Sequence, residues 1–529
     1  MLTLQNITYM HPNREVLFNG LSISFKDKDK VALIGENGIG KSTLLKIMAG
    51  ELTPSQGTVR TNSTPFYVPQ AFGQFNSMTI GEALRVEDKL IALREILAGE
   101  ANESNLSILN DDWSLEERIE EAFAYWKLSG KDINLKIESL SGGEKTKVFL
   151  AGMMIHNPEF TLMDEPTNHL DRATRDILYD YVQTCSNGLV VVSHDRTLLN
   201  LLNMVYELDK HSIKAYGGNY EFYKEQKELQ QNALMQSIKN KESELRKAML
   251  VNRETGERKQ RQDARGKKKQ IKSGVPTIML NTLRNKAENS AARLKDSHAE
   301  KISEIKSEIS KFRSQVSDAS KMKLDFENSD LHTGRVLIEA QDINFGFGER
   351  QLWDLPLNFQ VRSGDRICIK GQNGSGKTTL IKIMLGELEP AIGDIKRANS
   401  KSIYIDQDYS LINDALSVYE QAQTSNTGAL QEHEIKIRLS RFLFDKESWD
   451  KSCSALSGGE KMRLVLCCLM IEAQAPDLFI LDEPTNNLDI QNTEILTTAI
   501  NEYTGTVIVV SHDEYFLNEI NVGQEIVLE

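Results

Sequence analysis

The pentapeptide LSGGE occurs twice, at Leu140–Glu144 and Leu456–Glu460, and its surroundings decide the fold. Upstream of each lies a glycine-rich loop, GENGIGKST (Gly35–Thr43) and GQNGSGKTT (Gly371–Thr379). Downstream of each lies an apolar run ending in Asp-Glu, FTLMDEPTNHLD (Phe160–Asp171) and LFILDEPTNNLD (Leu478–Asp489), followed by SHD at Ser193–Asp195 and Ser511–Asp513. A glycine-rich loop alone marks any nucleotide-binding fold. The full ordered set, present twice, is far more restrictive.

The two copies are one duplicated unit. Gly35 and Lys41 precede Gly371 and Lys377 by 336 positions, whereas the later pairs Ser141/Ser457, Glu165/Glu483 and His194/His512 are offset by 316, 318 and 318. The first copy therefore holds about twenty extra residues between Gln70 and Leu140, in a Leu-, Ala- and Glu-rich stretch that reads as helix. Apolar runs such as Val31–Ile34 and Arg366–Ile369 read as strands feeding each loop, with a helix beginning at the Lys-Ser/Thr pair. The expected fold is α/β in both copies.

The chemistry follows from the residue types. Closely spaced glycines let backbone N–H groups converge on phosphates, and the following helix adds its positive end. The first cradle is Gly35, Glu36, Asn37, Gly38, Ile39, Gly40, Lys41, Ser42 and Thr43; the second is Gly371, Gln372, Asn373, Gly374, Ser375, Gly376, Lys377, Thr378 and Thr379. Lys41 and Lys377 supply charge, and Ser42 and Thr378 offer hydroxyls to Mg²⁺. Asp164 and Asp482 end buried strands and can hold the metal through its water shell. Glu165 and Glu483 are placed to polarise an attacking water. A core histidine or a capping aspartate explains any one of these residues, but not all of them in order and in duplicate.

The motifs resemble the ATP-binding cassette superfamily, with both cassettes in one polypeptide. The resemblance implies that Gln70 and Gln407, 29 and 30 residues beyond the loop lysines, are metal-site glutamines, and that His194 and His512 contact the γ-phosphate. It also implies that Ser141, Gly142 and Gly143 cap the ATP held by the second cassette, and Ser457, Gly458 and Gly459 that held by the first. Two ATP molecules would then clamp the cassettes shut until hydrolysis, within a monomer. Adenine in this superfamily stacks on an aromatic residue. Aligning NITYMH (Asn6–His11) with DINFGF (Asp342–Phe347) gives His11 and Phe347, while Tyr9 and Phe345 read as strand packing.

Between the copies the composition changes. Residues 221–330 carry 25 Lys+Arg against 17 Asp+Glu, a net of +8, so the rest of a chain of net −13 carries −21. Gly and Pro are absent from Tyr220 to Val251 and from Thr277 to Thr333. Ile302, Ile305, Ile309, Phe312 and Val316 are spaced as a heptad seam, and Leu234, Ile238, Leu245 and Met249 form a looser stripe. Gly256, Gly266, Gly274 and Pro276 are expected to break the pattern, giving a helical hairpin of about 40 residues per helix and roughly 50–60 Å reach. Near its tip lie the apolar Val275–Leu280 and a basic run, RKQRQDARGKKKQIK. The run contains Arg258, Lys259, Arg261, Arg265, Lys267, Lys268, Lys269 and Lys272, nine basic residues counting nearby Arg253, with Asp263 the acid among them. Charge runs are usually solvated helix surface. Positive charge concentrated in one place on an acidic chain instead suits a polyphosphate backbone.

The organisation is then a first cassette at 1–220 with a short helical arm near 82–105, a basic linker at 221–334, and a second cassette at 335–529. No apolar run reaches membrane-spanning length, and Met1 leads straight into the first strand without a signal-peptide pattern. Five cysteines, Cys185, Cys368, Cys453, Cys467 and Cys468, show no paired CxxC spacing, which suits a reducing cytoplasm and argues against zinc. Tandem cassettes, a long charged linker, the DEPTN(H/N)LD motifs and YGGNYEFY (Tyr216–Tyr223) resemble the ABC-F family of ribosome-associated ATPases. That resemblance implies a cytoplasmic factor whose linker reaches toward peptidyl-site tRNA and the peptidyl-transferase centre, regulating translation or protecting ribosomes from antibiotics. The alternative is the ATPase subunit of a transporter with separate membrane subunits.

Overall fold

Each copy sets a mainly parallel sheet and an antiparallel sheet around one phosphate-loop helix. The computed structural model describes residues 1–12, 14, 16–209, 212–270, 296–313, 334–347, 350–372, 374–472, 474–486 and 488–528, without the side chains of 259–260, 262–270, 347 and 350. In the first copy a six-stranded sheet runs in the order Phe66–Val68, Phe160–Asp164, Gly188–Val192, Lys30–Ile34, Met204–Asp209, Ser212–Tyr216. All its pairings are parallel except the last. Val16–Phe25, Leu2–Met10 and Gln56–Thr61 form a separate antiparallel sheet. In the second copy the parallel sheet is Ser402–Ile405, Leu478–Asp482, Thr506–Val510, Arg366–Gly371, Gln524–Leu528, beside an antiparallel sheet of Leu357–Arg362, Val336–Asn344 and Ile392–Arg397.

The central strands FTLMD, GLVVV, LFILD and TVIVV are buried at every position, as strands covered on both faces must be. Their alternation divides the first copy's core. Ala32, Ile34, Met163, Val191 and Val205 pack toward the helical side, while Val31, Leu33, Leu162, Val190 and Val192 pack toward the antiparallel sheet and the loop helix. Parallel register then fixes the chemistry. Asp164 pairs with Val192 and Asp482 with Val510, so both carboxylates emerge at the carboxyl ends of strands, where open α/β sheets bind ligands. Cys467 and Cys468 are buried in the helix Gly458–Ile471.

Both copies belong to one compact unit, Met1–Tyr223 with Met322–Glu529, and Lys224–Lys321 forms the second unit. The extra residues of the first copy fold as two short helices, Glu87–Leu97 and Glu103–Leu109, turning at Gly99 with φ 103°.

The intervening segment departs from expectation in one respect. The helix Tyr220–Gln270 is continuous for 51 residues, passing through Gly256 and Gly266, so it spans about 75 Å rather than 50–60 Å. A lone glycine in a helix costs only about 1 kcal/mol, and the flanking Lys, Arg, Gln and Glu are good helix formers. A second helix covers 296–313. On it Ile305 and Ile309 are 4% and 6% exposed, and Ile302 and Phe312 are half-buried, as a heptad seam requires. Lys241–Glu308 and Arg313–Glu242 ion pairs, at 2.8 and 2.6 Å, join the two helices. On the long helix Leu234, Ile238 and Leu245 are half-buried, but Met249 is 43% exposed and Ala248 takes the inner position. A stripe advancing 234, 238, 241, 245, 248 follows the helical repeat more closely. Val316, Lys272, Gly274, Pro276 and Val275–Leu280 lie outside the described residues. Among the described residues no helix is long and apolar enough to cross a membrane.

Candidate functional site: two phosphate-binding centres

In each copy the phosphate loop is shaped by glycines in left-handed conformations, Gly38 and Gly40 at φ 79° and 101°, Gly374 and Gly376 at 84° and 90°. A Cβ on Gly40 would fall 2.5 Å from the Phe18 ring, and one on Gly376 would fall 2.4 Å from Leu352, so these positions also lack room. In the second copy Trp353 occupies the place of Phe18 and donates from Nε1 to Ser375 O at 2.9 Å, pinning the loop. Asn373 and the side chain of Phe347 lie outside the described residues.

The first centre is a cavity of about 420 Å³, lined among others by Lys41, Ser42, Gln70, Asp164, Glu165 and His194. His11 and Thr43 also line it. His11 meets Tyr9 edge-on at 5.5 Å, and Tyr9 itself packs on the core. Lys41 is 7% exposed and donates to Gly35 O and Glu36 O at 2.7 and 3.1 Å. Burial holds its pKa below the ordinary lysine value. Ser42 donates to one oxygen of Asp164 at 3.1 Å and Tyr67 to the other at 3.0 Å. Glu165 has φ 49°, which turns its carboxylate back under the loop, where Oε1 lies 3.2 Å from His194 Nε2. Burial pushes Glu165 up to about 8 and His194 down to about 3, so the neutral forms are favoured when no ligand charge is present.

The second centre repeats this geometry. Lys377 donates to Gly371 O at 2.8 Å and lies 3.3 Å from His512 Nε2. Thr378 and Tyr404 both donate to Asp482 Oδ2, at 3.3 and 3.1 Å. Glu483, φ 48°, sits 3.4 Å from His512. Burial raises Glu483 to about 7 and lowers His512 to about 4. Gln407 is exposed.

Both centres fit ATP with Mg²⁺ on their own features. Glu165 Oε1 and Glu483 Oε1 are buried without a hydrogen-bond donor. The Lys41 and Lys377 ammonium groups lie in the loops themselves, against loop carbonyls. Among the described residues no three His, Cys, Asp or Glu side chains are grouped to hold a metal. Mg²⁺ needs no such cage, since one carboxylate, a hydroxyl and phosphate oxygens suffice.

The LSGGE segments are helix N-termini. Ser141 caps Gly142–His156 and Ser457 caps Gly458–Ile471, each in a reciprocal capping box with the motif's glutamate, Glu144 or Glu460. That role for Glu144 and Glu460 was legible as Ser-x-x-Glu. A Cβ on Gly143 would lie 2.8 Å from His169 O and one on Gly459 2.3 Å from Asn492, so the second glycine admits the chain after DEPTN. Neither cavity is lined by Ser141–Gly143 or Ser457–Gly459.

At the phosphate loops, the aspartate that ends each DEPTN(H/N)LD reaches across from the other copy. Asp489 accepts from Asn37 N–H of the first loop at 3.3 Å while capping Ile490–Glu502. Asp171 caps Arg172–Thr184 and lines the cavity beside the second loop. Sequence reasoning passed over both aspartates, and over Tyr67 and Tyr404, although Tyr stands three residues before each Gln70 and Gln407.

A doubly wound sheet, a glycine loop cradling a buried lysine, and an Asp-Glu pair at a strand end define a phosphate-loop ATPase with two centres. An ABC transporter family model matches residues 18–168 and 355–486. The ATP-binding protein YdiF of Bacillus subtilis, itself described as putative, is 30% identical over 532 residues, covering 96% of this chain and 77% of that protein. ABC transporter F family member 5 of Arabidopsis thaliana is 28% identical over 545 residues, covering 98% and 73%. The crystal structure of an archaeal ribosome recycling factor in complex with a ribosomal stalk protein shares the fold, with a TM-score of 0.58, 20% identity, and coverage of 97% and 86%. The chain belongs to the ATP-binding cassette family, in its ABC-F branch, and is an ATPase.

Proposed function

We propose that this ATPase acts on the ribosome, binding it with two ATP molecules loaded and leaving after hydrolysis. The observation that carries the reading is the 51-residue helix between two cassettes that already touch, with the basic residues from Arg258 to Lys269 toward its far end. A transporter subunit has no use for such a helix. Arg258 and Arg261 are exposed on it. These residues, with Lys259, Arg265, Lys267, Lys268, Lys269 and Lys272, contact rRNA or peptidyl-site tRNA phosphates, and the effect near the peptidyl-transferase centre is regulation of translation or protection from antibiotics. The shared fold of an archaeal ribosome recycling factor makes the ribosome the first partner to test.

At each centre Lys41 or Lys377 neutralises phosphate charge. Ser42, Gln70 and Asp164, or Thr378, Gln407 and Asp482, would hold Mg²⁺, which when bound would neutralise developing phosphate charge. Glu165 and Glu483 orient water for attack while His194 and His512 face the γ-phosphate. Ser141–Gly143 and Ser457–Gly459 complete the opposite centre on closure, their helix N-termini suited to anions.

Sucrose-gradient sedimentation with ribosomes, with and without a non-hydrolysable ATP analogue, tests the reading. Nucleotide-dependent co-sedimentation is expected. Charge reversal at Lys267, Lys268 and Lys269 should weaken it and flatten its salt dependence, because fewer counterions are released. Unchanged binding and salt slope would return the basic run to solvated helix surface.

A further inference from the structure

The two cassettes are not served equally by each other. The helix that follows DEPTN(H/N)LD starts with Arg172 in the first copy and Ile490 in the second, at matching positions of the duplication. Ile490 packs against the core of the first cassette. Arg172 instead lines a cavity of about 770 Å³ with Gly371, Gln372, Gly374 and Ser375, the first half of the second phosphate loop. Its Nη1 is 2.5 Å from Glu514 Oε1, and its side chain is 58% exposed. Lys370, which lines the cavity with His512, is engaged by Glu525 at 2.7 Å and lies 3.7 Å from Glu514. Asp171, Asp176 and Asp354 line the same space, and Asp171 is committed to capping its own helix.

We propose that Arg172 of the first cassette is a phosphate contact for the nucleotide held by the second, delivered across the cassette interface. A guanidinium stays charged at any working pH and presents a planar fork of donors that matches phosphate. Its present partner is a half-exposed carboxylate, and an exposed pair of this kind is weak, so a polyphosphate with several charges competes well for it. Ile490 can make no such contact at the first centre. The two centres therefore differ in affinity, and the difference is encoded by one residue pair. The inference rests on the reading that the second loop binds ATP.

The test uses the full chain and a fluorescent non-hydrolysable ATP analogue. A Lys41→Ala background reports the second centre and a Lys377→Ala background the first. Arg172→Ala should weaken the second centre about 10-fold or more and the first less than about 2-fold, with Arg172→Lys intermediate. Glu514→Gln, which frees Arg172, should tighten the second centre. A purely structural Arg172–Glu514 pair would move both variants in the same direction. That outcome, equal losses at both centres, or no loss on Arg172→Ala overturns the proposal. Failure of the parent chain to bind the analogue at all would instead remove the ATP-site reading beneath it.

Discussion

The half of the cassette interface beside the first phosphate loop is drawn tight, and the half beside the second is not. On the first side Asp489 bonds directly to the loop at Asn37, and Ile490 sits against core side chains. On the second side Asp171, Arg172 and Asp176 surround a cavity, bridged by the Arg172–Glu514 pair. The anchor between the copies is likewise one-sided. Arg196, 3% exposed, reaches Glu519 at 2.8 Å, whereas the positions matching them by the 318-residue offset are Glu514 and Leu201. Asn200 adds a bond to Tyr515 at 2.9 Å. Duplication supplied two phosphate-loop centres of the same layout, but a few unmatched residues at the seam made the surroundings unequal.

The largest expected effect tests whether the centres are chemically alike. Glu165→Gln with Glu483→Gln should slow steady-state phosphate release about 10² or more while ATP stays bound, the scale for losing a positioned base. If either single variant falls as far as the double, the centres do not share the work.

The anchor comes next. Arg196→Ala leaves Glu519 facing a buried gap, and removing one partner of a buried pair costs on the order of 3 kcal/mol, less here because Glu519 is 32% exposed. A clear fall in the thermal melting midpoint is expected; a midpoint matching the parent would show that the cassettes are held elsewhere.

Asp171→Ala and Asp489→Ala then probe the two sides directly. Each removes an N-cap worth about 1 kcal/mol. Only Asp489→Ala also loses the bond to Asn37, so it should alter nucleotide release from the first centre, read by stopped-flow in the Lys377→Ala background. Equal release in both variants would erase the contrast between the sides.

The smallest effect lies in the LSGGE caps. Lys131 and the Ser141 backbone hold Glu144 down to about 2. Its pKa is lower in the folded chain than in the unfolded one, so its contribution is present above pH ~4.5 and lost as pH falls toward about 2. Being about a third exposed, the group should contribute no more than about 1 kcal/mol after solvent screening. Glu144→Gln should flatten the acid limb of the melting curve. Glu460 is lowered as well, with Ser457 and Lys451 outweighing its burial, so Glu460→Gln should act in the same direction.

How far the sequence reached follows from the range of the forces involved. Strands buried on both faces, loop glycines and Asp-Glu at a strand end are set by local geometry, so the α/β fold and the roles of Lys41, Ser42, Asp164 and Glu165 could be read directly, while His194 came with the family resemblance. Ser-x-x-Glu was equally local and went unread at Glu144 and Glu460. Glycine as a helix breaker misled at Gly256 and Gly266, because about 1 kcal/mol per glycine is absorbed by a long helix of good formers. The seam between the copies was not legible. Whether Arg172 meets a phosphate cavity or Ile490 a core depends on which distant surfaces the folded cassettes bring together, and no local pattern of side chains encodes that.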